Sequence, residues 1–309
     1  MIETSIIIPV RNQKKSLLAA MFALKRQIKK PRTFELVICD DGSTDGTDQA
    51  IRKLKYPLFF KYFRNDPPLG RSANRNSGFD RSAGEHLIFF DGDMVPVDGY
   101  ITAMLADIKS DTVKLGSAQA PPDEKQGRLE RYLYSRGRYD HMGEDVSLPG
   151  RLFTSNNFLI SRENFKKVGG FDIEFKGWGG EDIDFGLKLE DLGVKLKNVP
   201  EAITYHYHER AIKTLADDFY NFGEKSFAYL IKKHPRFLDQ IPGHLLGISG
   251  GFFPARLIFK LVSWFTINSA ALKFAEKLVD SAPDYNWPDF VFDYIFWGNL
   301  GLGYKKRSE

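Results

Sequence analysis

Cysteine is almost missing from this chain: Cys39 stands alone among 309 residues. One thiol makes no internal disulfide and no Cys-based zinc site, and it suits a reducing compartment. Long apolar runs are missing too. The longest stretch free of Asp, Glu, Lys and Arg is Gln240–Ala255, and its 16 residues include two prolines and four glycines. That is too short and too broken for a spanning helix, which needs about 20 apolar residues. The first residues, MIETSIIIPV, show no basic n-region and no apolar h-region of signal-peptide length. Neither sign of charge dominates, with 44 Lys+Arg against 40 Asp+Glu. The balance holds on both sides of residue 210, so composition carries no footprint of nucleic-acid binding. Aromatics, by contrast, are plentiful: 26 Phe, 13 Tyr and 4 Trp.

Strand-like and helix-like runs alternate along the first two-thirds. Ser5–Val10 and Glu35–Cys39 read as buried parallel strands. Between them Leu17, Met21, Leu24 and Ile28 recur at helical spacing. Strands are expected at Leu58–Tyr62, Leu87–Phe90, Val113–Ala118, Phe153–Ile160 and Lys195–Tyr205. Helices are expected from Thr47 to about Leu54, then at Ser72–Ser82, Gly99–Ile108, Arg162–Val168 and Glu181–Leu192. Pro121–Arg151 has no clean period and reads as an insertion. This alternation predicts an α/β fold with a doubly wound, mostly parallel sheet, whose ligands sit at the carboxyl edge of the strands. From Ile212 the pattern turns helical. The expected division is a catalytic domain over 1–210, with a donor half of about 1–118 and an acceptor half of about 151–210, then a helical extension over 211–309.

The chemistry-bearing residues fall at strand ends. Asp91-Gly92-Asp93 puts two carboxylates around a glycine, suited to a hard cation and a ribose. Alone, this triplet more often marks a solvated turn with a helix cap; its place at a strand end and the acids elsewhere favour the ligand reading. Asp40-Asp41-Gly42-Ser43 is a second acidic end, able to accept bonds from a base or ribose or to cap a turn. Gly70–Gly78 opens a helix with Arg71 and Arg75, cations suited to a diphosphate. Trp178-Gly179-Gly180-Glu181-Asp182-Ile183-Asp184 puts three acids into a first helical turn, more than the helix dipole requires. A carboxylate there suits a general base. His206 and His208 would share a strand face, as neutral ligands for Mn²⁺ or as structural histidines. Cys39 is expected to be a small buried hydrophobe.

These strings together resemble family 2 glycosyltransferases of the GT-A fold: SIIIPVRN, DDGSTDGT, GRSANRNSG and FFDGD, in that order. FKGWGGEDIDFG at Phe175–Gly186 is similar to the acceptor-side motif of bacterial chondroitin-type polymerases and β-1,4-galactosyltransferases. The resemblance spans about Ile2–Glu209. It implies a UDP-sugar donor, Mn²⁺ or Mg²⁺, and a glycan or lipid-linked saccharide as acceptor. It places Pro9 at the base edge, Asp40 and Asp41 at the donor with Asp40 on the uracil, and Arg71 near the diphosphate. Asp91 falls on the ribose and Asp93 on the metal, with His206 and, less directly, His208. Asp182 matches the catalytic base, with Glu181 and Trp178 lining the sugar and acceptor site. Asp rather than Asn after Glu181 favours inversion of the anomeric centre over a retaining N-acetylgalactosaminyltransferase-like reaction. A nucleotidyltransferase or a non-catalytic nucleotide-sugar-binding protein is the competing reading.

The resemblance and the lack of a leader imply a cytoplasmic enzyme, at the inner face of the membrane where the acceptor is lipid-linked. Aromatics beside cations over 250–307 fit either peripheral membrane contact or helices packing on the catalytic domain or on a second copy in a homo-oligomer.

Overall fold

A computed structural model of the chain describes residues 2–122, 126–136, 147–207, 211–241, 267–283 and 285–307. Contacts divide it into two compact units. The first is Met1–Glu124, Arg136–Ile173 and Glu181–His208; the second is Lys125–Ser135, Glu174–Gly180 and Glu209–Glu309. The second unit therefore takes two segments from within the span read as catalytic.

The first unit is built on an eight-stranded sheet. Its strands are β1 Thr4–Val10, β2 Phe34–Asp40, β3 Phe60–Arg64, β4 His86–Phe90, β5 Met94–Pro96, β6 Thr112–Gln119, β7 Asn157–Ser161 and β8 Lys195–His206. They lie in the order β3-β2-β1-β4-β7-β6-β8-β5. β3, β2, β1 and β4 run parallel, and β6 runs parallel to β8. β7 is antiparallel to both β4 and β6. Two reversals cancel, so β8 ends at the same edge as β1, β2 and β4. That edge gathers the site.

β1 and β2 are buried along their whole length, which is why they read as apolar runs rather than alternating ones. Period-two geometry sends neighbours to opposite cores. Ile6 and Ile8 pack with Leu17, Met21 and Leu24 of α1 (Lys14–Gln27). Ile7 packs on the other face with Phe89, Phe158, Phe165 and Phe185. The rings of Phe89 and Phe158 stack at 4.8 Å, and those of Phe171 and Phe185 at 4.4 Å. Each such buried ring contributes about 1.5–3 kcal/mol. Cys39 is fully buried here, and burial pushes its thiol up to about 11.

Further helices of this unit are α2 Thr47–Lys53, α3 Arg71–Arg81, α4 Tyr100–Leu105, α6 Arg162–Val168 and α7 Glu181–Asp191. Three local expectations change. Pro121–Arg151 carries a helix, α5 Arg128–Arg136. Its Leu129, Tyr132 and Leu133 have helical spacing, but charged neighbours hide so short a stripe. β7 starts at Asn157, not Phe153, because Gly150–Leu152 is a 3₁₀ turn and Phe153 packs into the core instead. β5 went unforeseen, since three residues ending in proline have no pattern of their own; it exists through its pairing with β8.

The second unit packs α5 with α8 (Ile212–Phe222), α9 (Ala228–Lys233), α10 (Ser269–Ser281) and α11 (Asp289–Arg307). Tyr132 stacks on Phe292 at 4.8 Å, and Phe219 stacks on Phe296 at 5.2 Å. Arg128 pairs with Asp289, and Lys306 reaches Glu224 at 2.8 Å. Phe292 and Phe296 of α11 are thus spent on internal helix packing. Phe252, Phe253, Phe259, Trp264 and Phe265, with Arg256 and Lys260, lie outside the described residues. Among the described residues, no helix is long and apolar enough to cross a membrane.

Candidate functional site

The candidate site begins where β1, β2 and β4 end. The Pro9 carbonyl accepts the Gly92 N–H at 3.2 Å, which fastens the Asp91–Asp93 loop to β1. A Cβ on Gly92 would lie 2.7 Å from Gln13 Oε1 and 2.9 Å from Val10 Cγ2. Only glycine lets the loop come that close.

Asp40 and Asp41, expected at the donor, are enclosed. Asp40 is fully buried; its Oδ1 accepts Ser43 N–H at 2.7 Å and its Oδ2 accepts Tyr62 O–H at 2.6 Å. Asp41 accepts Leu69 N–H on Oδ1 at 2.7 Å and Gly70 N–H on Oδ2 at 3.0 Å. Both carboxylates hold the protein's own loops at the end of β2 and the start of α3. Short carboxylates at a strand end satisfy backbone N–H groups before any ligand arrives. Asp41 in particular anchors the turn that starts α3.

On α3, Arg71 is exposed at the first position, while Arg75, one turn on, is buried. Arg75 Nη2 donates to Asp91 Oδ1 at 2.8 Å. Burial pushes the Asp91 carboxyl up, Arg75 pulls it down and Asp93 pushes it up again, leaving it raised. Asp93 Oδ2 lies 3.4 Å from His206 Nε2. The register makes this pair: Met94 opposes His206 across β5 and β8, and Tyr207 N–H donates to the Asp93 carbonyl at 2.9 Å. The expectation for His208 lies outside the described residues.

The Glu181–Asp182 pair joins this edge through the start of β7. Asp91 N–H donates to the Asn156 carbonyl at 3.0 Å, and next door Ser155 N–H donates to Asp182 Oδ2 at 3.1 Å. Asn156 and Ser155, adjacent in the chain, thus hold the Asp91 backbone and the Asp182 carboxylate. Beneath them a buried network fixes the register: Tyr100 O–H and Asn157 at 2.8 Å, and Asn157 Nδ2 and Thr204 Oγ1 at 3.2 Å. Glu181 sits beside Asp182 at the start of α7, 6% exposed. Burial first and the Asp182 charge second push its carboxyl from 4.5 up to about 7, while Arg75 and Arg71 pull it back.

Trp178 belongs to the second unit, where its ring meets Phe219 at 5.1 Å and Phe222 at 6.4 Å. Arg75 was read only as a cation for a diphosphate, and Ser155 and Asn156 were not singled out. Arg75 lay inside a string already singled out; the other two are ordinary polar residues whose backbone groups do the work.

α7 is held by a close helix-to-loop contact. A Cβ on Gly186 would overlap the Gly150 carbonyl and crowd Phe153 Cβ. Alanine gains about 1 kcal/mol of helix propensity over glycine, but rigid backbone blocks it. Gly186→Ala is expected to cost about 1–3 kcal/mol net, read as a lower urea midpoint. A midpoint at or above wild type would overturn this account of the packing.

Comparisons with known proteins agree with this architecture. The family described as Glycosyl transferase family 2 matches residues 5–169, and one described as N-terminal domain of galactosyltransferase matches residues 142–211. A validoxylamine A glucosyltransferase of Streptomyces hygroscopicus subsp. limoneus is 27% identical over 273 residues, covering 77% of this chain and 58% of that protein. A chondroitin synthase of Pasteurella multocida is 30% identical over 238 residues, covering 65% of this chain and 24% of that protein. The chain therefore matches only part of the length of these relatives. The mannosyltransferase PcManGT of Pyrobaculum calidifontis, solved with GDP-Man and Mn²⁺, superposes with TM-score 0.64 at 16% identity, over 99% of this chain and 87% of that one. At that identity the likeness concerns the fold.

Proposed function

Because the chain belongs to glycosyl transferase family 2, we propose that this glycosyltransferase inverts the anomeric centre as it moves a sugar from a UDP-sugar to a hydroxyl of a glycan or lipid-linked saccharide. The observation that carries the reading is the shared edge. The Asp91 backbone and the Asp182 carboxylate are held by adjacent residues, Asn156 and Ser155, which supports a reading in which a donor-side and an acceptor-side acid meet at one edge.

The donor set suits a divalent cation. Asp93 Oδ2 and His206 Nε2 converge at 3.4 Å, an oxygen–nitrogen pair fit for Mn²⁺. Among the described residues no group of three His, Cys, Asp or Glu gathers to hold one, so phosphate oxygens and water would fill the other positions. Such a cation supplies positive charge beside the leaving diphosphate. Arg71, exposed at the start of α3, adds charge from the protein. Asp182 takes the acceptor hydroxyl proton as the oxygen attacks the anomeric carbon from the face opposite the diphosphate. Glu181 lines the same spot.

The test is calorimetry with UDP-sugars, and with GDP-sugars as controls, with and without Mn²⁺. Asp93→Ala should lose the metal-dependent part of donor affinity, at least about tenfold. Unchanged metal-dependent binding would refute the Asp93 assignment, and tighter binding of GDP-sugars would refute the uridine reading. UDP release only when acceptor is added separates a transferase from a binding protein.

A further inference from the structure

Arg75 is a charged side chain to which the family resemblance gave no role. Its side chain is 6% exposed. Nη2 is bonded to Asp91, while Nε and Nη1 are buried with no hydrogen-bond partner among the described residues. Glu181 Oε2 and Asp182 Oδ1 are likewise buried without a partner. Both acids lie near enough to act on the Arg75 charge, behind Asp91 in strength. The ring of Phe171 closes one side, 5.6 Å from the guanidinium. Unpaired donors and unpaired acceptors of opposite charge are thus gathered in one place, and a buried charge is tolerable only among such company.

We propose that Arg75 is a positioning residue, whose guanidinium is the shared counter-ion tying Asp91 on the donor side to Glu181 and Asp182 on the acceptor side. A guanidinium suits this because its planar fork serves two directions at once. Three carboxylates share it. Arg71 is a second cation acting on Glu181, and Asp93 adds a further negative charge beyond Asp91. The tie keeps the two sides in register and holds down the like-charge repulsion between Glu181 and Asp182. Its catalytic consequence rests on Asp182 being the base. The tie itself belongs to the unliganded protein and is tested there.

The experiment is a thermal-melting cycle of R75M, E181Q and the double variant, at pH 8 and pH 5. R75M should melt well below wild type at pH 8 and lose less at pH 5, where Glu181 holds its proton. In the E181Q background the same change should cost less, by about 3–6 °C. Additive losses, or equal losses at both pH values, would overturn the proposal. If R75M does not fold, R75K is put through the same cycle, since it keeps the charge and loses the fork. Its loss should also shrink in the E181Q background, and an additive result overturns the proposal equally. UDP release then separates the two claims. Coupled melting with no release by wild type leaves the tie standing and removes the transferase reading. With release present, R75K should lower kcat more than it raises KM for UDP-sugar.

Discussion

Asp182→Asn keeps donor affinity within about twofold and lowers turnover by about 10²–10⁴-fold, the usual worth of a general base. The substitution is close to isosteric. Its remaining carbonyl oxygen still accepts the Ser155 N–H that Asp182 Oδ2 holds at 3.1 Å, so the start of α7 stays in place. What disappears is an oxygen able to take a proton. Asp182 Oδ1 is buried with no hydrogen-bond partner among the described residues, which leaves a lone pair for the acceptor hydroxyl. Steady-state UDP release with acceptor, set beside calorimetry of the UDP-sugar, measures both halves. Wild-type turnover would remove Asp182 from the chemistry. Lost donor binding would show that its part is structural.

Glu181→Gln should stabilise the unliganded protein above neutral pH while lowering activity. The Glu181 carboxyl stands at about 7 in the folded chain against an ordinary 4.5. The folded form therefore binds the proton more tightly than the unfolded form between those values. Stability falls as pH rises through that window, and the full cost is present above pH 7. The shift corresponds to about 3–4 kcal/mol. Gln removes this charge. Melting temperature should rise by roughly 5–8 °C at pH 8 and the gain should vanish near pH 4.5. An equal gain at both ends would mean that ionisation of Glu181 is not the cause. A stable variant with poor turnover would show a carboxylate kept at a cost to stability for the sake of the site.

The amino-acid sequence by itself determined the α/β class, the strands that open the chain and the edge where acids collect. Ile6, Ile7 and Ile8 announce a strand buried on both faces, and β1 is buried along its length. Asp91, Asp93, Glu181 and Asp182 were legible because local signals cluster there: acids at a strand end, and more acids than a helix start needs. Only the tertiary structure decided what those residues meet. Asp40 and Asp41 looked available, yet backbone N–H groups and Tyr62 take them. Arg75 and Arg71 are the same residue type one turn apart, and packing alone buries the first and exposes the second. His206 reaches Asp93 because two antiparallel pairings at β7 return β8 to the edge where β4 ends. The physical reason is the range of each signal. Periodicity and capping act over a few neighbouring residues, whereas register and burial are set by contacts between segments well separated along the chain.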